Sequence, residues 1–106
     1  MADDAAIGAI DPTVEMGASE LRIVVRVLLE SGRVSIPVYA GRRMTQRSVT
    51  TPQIEAALRS GKLGTESCDA GTWRYRAARQ GVSVIFTFDT DDEGNLLVVV
   101  TTWRNQ

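Results

Sequence analysis

The first half of the chain spaces its polar residues as a helix does. Arg22, Arg26 and Glu30 recur every four residues, which places them on one face of a helix. Ser19 can cap that helix at its N-terminus. The remaining positions form a broad apolar face: Leu21, Val24, Val25, Leu28 and Leu29. The pattern predicts a helix over residues 19–30, although the β-branched residues within it leave a strand as the alternative.

Two shorter helices are predicted before the middle of the chain. Residues 39–46 read as a basic helix with Ala40 and Met44 facing inward, although Gly41 weakens that prediction. The next helix has Thr51 as its cap and Pro52 at its first position. It ends before Gly61.

The second half changes to the alternating pattern of strands. Residues 72–77 and 82–88 alternate between apolar and polar side chains, and residues 96–100 form an unbroken apolar run. A turn at Gln80-Gly81 and a polar loop over residues 89–95 connect these three strands. A fourth, short strand over residues 63–67 is possible. The apolar run should be central, since only a strand covered on both faces needs no alternation.

These elements predict one α+β domain. Its N-terminal helices pack on one face of an antiparallel sheet of three to four strands. Residues 1–18 lack a sustained period and are predicted to be a flexible N-terminal arm, and residues 19–106 to form the single domain. At 106 residues the chain can bury a core without disulfides or metal.

Composition excludes several kinds of site. Cys68 is the single cysteine and histidine is absent, so an internal disulfide, a zinc site and Ser-His-Asp chemistry are excluded. The loop over residues 89–95 is acidic but lacks the spacing of a calcium loop, and its residues are ordinary turn formers. No metal or cofactor is predicted. The acidic N-terminus and the absence of an apolar stretch of about 20 residues predict a cytoplasmic protein without membrane contact.

Positive charge is concentrated in the middle of the chain. The formal net charge is −1, but residues 33–79 carry nine basic and three acidic side chains. Arginine, which supplies all but one of the basic residues, pairs bidentately with phosphates and stacks on bases. The middle segment is therefore a candidate nucleic-acid surface. The alternative is that most of these arginines are solvated or ion-paired.

Two groups of residues could form that surface. The first lies on the predicted basic helix: Tyr39, Arg42, Arg43 and Arg47. Its spacing brings the side chains to neighbouring positions, where a phosphate can bind. Alternatively, the Tyr39 ring packs at the edge of the core and the arginines extend into solvent or pair with Glu55 or Glu66.

The second group lies on a predicted strand. Trp73 and Tyr75 point to one face, so Arg74 and Arg76 point to the other. If helices cover the aromatic face, these arginines, joined by Arg104 from the last strand, form a basic platform for a phosphate backbone. Exposed arginines also solubilise a sheet and discourage edge pairing, and that alternative stays open.

Several of these segments resemble one known family. They are residues 39–50, residues 54–58 with Gly61, the strand over residues 73–76, and the closing residues 99–104. Together, over about residues 38–104, the chain resembles domain of unknown function 4258. Members of that family often read His-Ala-x-x-Arg-Met-x-x-Arg-Gly-Ile-Thr, followed by a helix ending in Gly, a Tyr/Arg strand and a last strand ending Val-x-Thr-x-Tyr.

The resemblance implies a fold similar to RelE-like toxins, in which helices cover one sheet face and RNA meets the other. It implies a metal-free endoribonuclease with these catalytic residues: Tyr39, Arg43, Arg76 and Thr101. It also implies RNA contacts at Arg47 and Arg74. Helix spacing adds Arg42 and the strand platform adds Arg104, so the predicted RNA-binding residues are Arg42, Arg47, Arg74 and Arg104. Trp103 also occupies a family position. Tyr39 stands where the family has His, and an unperturbed tyrosine stays protonated at pH 7. Cleavage needs a base and an acid, for which Tyr39 or Glu55 are the candidates.

The same residues also fit a second function, from a different class. The chain would then be a non-catalytic interaction module, similar to an antitoxin, an immunity protein or an adaptor, that docks an acidic partner protein on its Arg-rich middle. The N-terminal helix could serve in a homodimer. The loss of the family histidine fits such a role as well as it fits a modified enzyme.

Overall fold

The computed structural model describes residues 7–105. They form three helices and five strands: α1 (Ala18–Glu30), β1 (Val34–Ser35), α2 (Val38–Gln46), α3 (Thr51–Ser60), β2 (Lys62–Asp69), β3 (Thr72–Arg79), β4 (Val82–Asp91) and β5 (Gly94–Arg104). The predicted α+β class is confirmed, with a larger sheet than expected. No helix in this part of the chain is long and apolar enough to cross a membrane.

The five strands form one mixed sheet in the order β1-β5-β4-β3-β2. β1 runs parallel to β5, and the other neighbours are antiparallel. The centre is therefore β4, and the prediction that the apolar run of β5 is central was wrong. Burial agrees with this order, because Val82 to Phe86 of β4 are all buried, whereas burial alternates along β5. On the side of β5 away from β4, the only strand neighbour among the described residues is β1, which consists of Val34 and Ser35.

The core lies between one face of the sheet and the helices. The apolar side chains of α1 and α3 pack on the aromatic residues of β3 and β4. The Tyr75, Phe86 and Phe88 rings lie 5.6–5.9 Å apart between centroids, within the range of favourable aromatic pairs. The opposite face, called the open face below, carries Arg74 and Arg76.

Two helix starts differ from the predicted ones by one or two residues. The cap of α1 is Gly17, with no side-chain hydrogen bond, and Ser19 lies inside the helix. The cap of α3 is Thr50 rather than Thr51, because the Thr50 hydroxyl accepts from the Gln53 N–H at 3.3 Å while the Gln53 side chain accepts from the Thr50 N–H at 2.8 Å. That reciprocal pair is a capping box, which satisfies two donors at once.

The described part of the N-terminal segment, residues 7–17, packs onto the domain rather than extending from it as an arm. The Trp73 N–H donates to the Pro12 carbonyl at 2.9 Å. The Met16 N–H donates to the Tyr75 hydroxyl at 3.0 Å, and Met16 itself is buried. Burial raises the pKa of Tyr75, so the hydroxyl stays protonated at neutral pH. Residues 1–6 of the predicted arm lie outside the described residues.

Gly61 is required for space rather than for backbone conformation. Its φ of −77° suits any residue. A β-carbon there would collide with the Ala57 carbonyl oxygen and lie 2.7 Å from the Ala78 carbonyl oxygen. Since both obstacles are backbone, we expect Gly61→Ala to lower the free energy of unfolding by about 1–3 kcal/mol. Gly64→Ala is the control, because no atom lies within 4 Å of its added carbon. Equal urea midpoints for the two variants would contradict the packing argument.

Candidate nucleic-acid interface

Helix α2 and its C-cap, Arg47, present a tyrosine and two arginines along one side. Tyr39, Arg43 and Arg47 are four residues apart, the spacing of neighbours on a helix surface. The Tyr39 side chain is 58% exposed, so its ring does not pack into the core edge. Arg43 Nη2 donates to the Tyr39 hydroxyl at 3.2 Å, and its guanidinium carbon lies 5.2 Å from the ring centroid. This distance is within the range of a cation–π contact.

Arg47 joins the end of α2 to β5. Its Nη1 donates to the Thr102 carbonyl at 2.5 Å and to the Thr101 hydroxyl at 3.3 Å. Its guanidinium carbon lies 3.5 Å from the centroid of the Trp103 ring. β1 pairs with β5 only at Leu97 and Val98. Arg47 therefore donates to a β5 carbonyl that β1 is too short to reach.

A bulge in β5 decides which side chains lie on the open face. Phe86 pairs with Val99 and Ile85 pairs with Thr101, so Val100 is an extra residue. An extra residue reverses the alternation that follows it. Thr101 and Trp103 therefore lie on the open face, paired with Ile85 and Ser83 of β4.

The same bulge turns Arg104 away from Arg74 and Arg76. Arg104 pairs with Val82 of the core, and its Nη1 donates to the Ser48 carbonyl, between α2 and α3, at 2.7 Å. The prediction that Arg104 joins the β3 arginines on one platform was therefore wrong. Its side chain lies instead beside Ser48, just after the end of α2.

Arg74 and Arg76 lie opposite the helices, as predicted, but acidic residues of β2 pair with both. Arg74 Nη2 lies 3.0 Å from Asp69 Oδ2, and Arg76 Nη1 lies 3.7 Å from Glu66 Oε1. Arg76 Nη2 also donates to the Ser83 hydroxyl at 2.9 Å. The open face is therefore not the uncompensated basic platform that the sequence predicted. A longer β2 than expected brings its carboxylates beside these arginines.

The arginines around α2 have no such compensation. In the described part of the chain, side-chain ion pairs involve three arginines only: Arg33, Arg74 and Arg76. The predicted pairing of the α2 arginines with Glu55 or Glu66 is not observed. We call Tyr39, Arg43, Arg47 and Trp103 the arginine–aromatic strip. Exposed Arg42 and Arg104 flank it. The strip combines uncompensated positive charge with two exposed rings.

The four predicted catalytic residues do not converge. Tyr39 and Arg43 are hydrogen-bonded, whereas the Thr101 hydroxyl is held by Arg47. Arg76 pairs with Ile85, which pairs with Thr101, so Arg76 and Thr101 are two strands apart, about 10 Å. The contacts of Arg76 with Ser83 and Glu66 were not predicted from the sequence. Strand alternation places Ser83 on that face, but the register of β2 is not readable from the sequence.

The acidic loop forms the hairpin turn that the sequence predicted, with Asp91 paired to Gly94. Arg33 forms ion pairs with Asp91 and with Glu93, the latter at 3.5 Å. The hydrogen bond from Arg33 lowers the pKa of Asp91. Within residues 7–105, no group of three or more His, Cys, Asp or Glu side chains is placed to hold a metal ion. Cys68 is exposed on β2.

Comparison with known proteins adds no assignment. No family model matches the chain, and no curated protein matches it. The resemblance to domain of unknown function 4258 therefore stays a prediction.

Proposed function

We propose that this chain is an RNA-contacting domain that binds RNA through the arginine–aromatic strip. The observation that carries the proposal is the stack of Arg47 on Trp103 beside the Arg43–Tyr39 contact, without a carboxylate partner for either arginine. Phosphate groups bind to positive charge that no carboxylate neutralises, and nucleobases stack on flat, exposed side chains. The strip offers both within one connected surface.

An acidic protein partner is the alternative for the same arginines. Charge alone serves both partners equally. The two exposed rings favour nucleic acid, because every base has a face that can stack on an aromatic side chain. The family resemblance favours RNA over DNA, and the predicted cytoplasmic location fits that partner.

Ribonuclease activity stays a prediction, and the described contacts support binding better than cleavage. Cleavage requires a base, an acid and positive charge around one phosphate. Arg76 contacts Glu66 and Ser83 on the open face, while Tyr39 contacts Arg43 on α2. The predicted catalytic residues would therefore have to act on different parts of the RNA.

We expect the protein to bind a single-stranded RNA with an affinity that falls steeply with salt. If Arg42, Arg43, Arg47 and Arg104 each neutralise one phosphate, the slope of log K against log salt is about −2.8, since each single-strand phosphate contributes about 0.7. Fluorescence anisotropy over a salt series measures it. Arg104→Gln should make the slope shallower by about 0.7. Arg26→Gln is the matched control, since Arg26 is exposed on α1, away from the strip.

Absence of binding at low salt would overturn the proposal and direct attention to an acidic protein partner. The same samples, incubated in EDTA and resolved on a gel, report cleavage. RNA that stays intact supports binding without chemistry. Loss of RNA that Tyr39→Phe and Arg76→Ala each abolish would instead establish a metal-independent ribonuclease.

A further inference from the structure

Trp103 combines an exposed ring with a fixed neighbouring side chain. The Arg47 guanidinium lies 3.5 Å from its centroid and so covers one ring face. The guanidinium is itself fixed by hydrogen bonds to the Thr102 carbonyl and the Thr101 hydroxyl. The Trp103 side chain nevertheless stays 49% exposed. A large apolar surface is thus kept rigid and open to solvent at the end of the strip.

We propose that the strip takes single-stranded RNA and that one nucleobase stacks on Trp103, on the side away from Arg47. This inference rests on the proposed function and names the form of RNA that the site takes. A base in a duplex already stacks on its neighbours and is paired, so stacking on a side chain requires an unpaired base. Aromatic platforms beside arginines are how proteins hold single strands without reading their sequence.

Arg47 acts as a positioning residue for this platform. With its Nη1 committed to two β5 oxygens and its plane against the ring, it keeps Trp103 in one orientation before RNA arrives. A ring fixed in advance loses less conformational freedom on binding. Arg104, the next residue in sequence, uses one nitrogen on the Ser48 carbonyl. Its remaining donors can reach a phosphate of the stacked nucleotide.

The test compares three ligands of equal length: a single-stranded RNA, the same RNA as a duplex, and an oligonucleotide with the same phosphates but abasic sugars. Wild type should prefer the single strand. Trp103→Leu should weaken single-strand binding about 5-fold or more, because stacking of one base on an aromatic residue contributes between about 5-fold and 150-fold. Trp103→Phe should retain most of the affinity. The salt slope should be unchanged in both variants, because no charge is removed.

The abasic ligand separates stacking from indirect effects. It should bind wild type and Trp103→Leu equally, because it has no base to stack. A Trp103→Leu variant that binds the single strand as well as wild type does, or loses affinity for the abasic ligand too, would overturn the inference. Equal affinity of wild type for duplex and single strand would do the same. In each of these outcomes the salt-dependent RNA binding survives, whereas absence of binding by wild type overturns the proposed function as well. Unfolding midpoints establish that both variants are folded.

Discussion

Phe86→Ala is expected to cost about 3–5 kcal/mol of the free energy of unfolding. Phe86 lies in the central strand, has no exposed surface, and contacts two other rings, with centroids 5.9 Å away at Tyr75 and 5.8 Å away at Phe88. Helices and neighbouring strands surround the cavity that alanine would leave, so little relaxation can fill it. The whole free energy of unfolding of a small domain is about 5–15 kcal/mol. Urea unfolding followed by circular dichroism measures the difference.

Tyr39→Ala is the matched control, because it also truncates an aromatic ring but at a position that is 58% exposed. It should change stability by no more than about 0.5 kcal/mol. Similar losses for the two variants would mean that Phe86 is not at the centre of the core.

Charge reversal on α2, by Arg42→Glu with Arg43→Glu, is expected to weaken RNA binding more than about 100-fold at moderate salt. Two phosphate contacts are lost and two carboxylates repel the backbone that remains. Glutamate and arginine have similar helix propensities, so α2 should stay folded. Anisotropy titration with the same single-stranded RNA measures the loss.

The control for that variant is Arg26→Glu with Arg59→Glu, which lowers the net charge by the same amount at exposed positions on α1 and α3. It should bind RNA within a few-fold of wild type, the small loss coming from long-range repulsion. Equal losses in the two double variants would show that net charge, rather than the strip, determines binding.

The sequence predicted the elements better than their arrangement. Helical spacing located α2 and α3, and alternation located β3 and β4, because both patterns are local. The two-residue strand β1 and the position of β5 beside it were missed, since they depend on pairing between residues far apart in the chain, such as Val34 with Leu97. An unbroken apolar run does not distinguish a central strand from a strand such as β5, in which buried residues alternate with half-buried ones.

The candidate site was predictable to the same extent. Four-residue spacing identified Tyr39, Arg43 and Arg47 as neighbours on one helix. The stack of Arg47 on Trp103 spans 56 residues of sequence and depends on the bulge at Val100, which no local pattern signals. The carboxylates beside Arg74 and Arg76 were missed because the register of β2 on β3 shifts at Glu66.

A titration of isotope-labelled protein with single-stranded RNA, followed by NMR, shows directly whether RNA contacts the strip. The two tryptophans give an internal comparison, because Trp103 lies in the strip and Trp73 packs against the core. If the strip binds RNA, the indole signal of Trp103 and the side-chain signals of Arg43 and Arg47 should shift progressively while those of Trp73 and Arg76 stay in place. Shifts confined to Arg74 and Arg76, or no shifts at low salt, would contradict RNA binding at the strip.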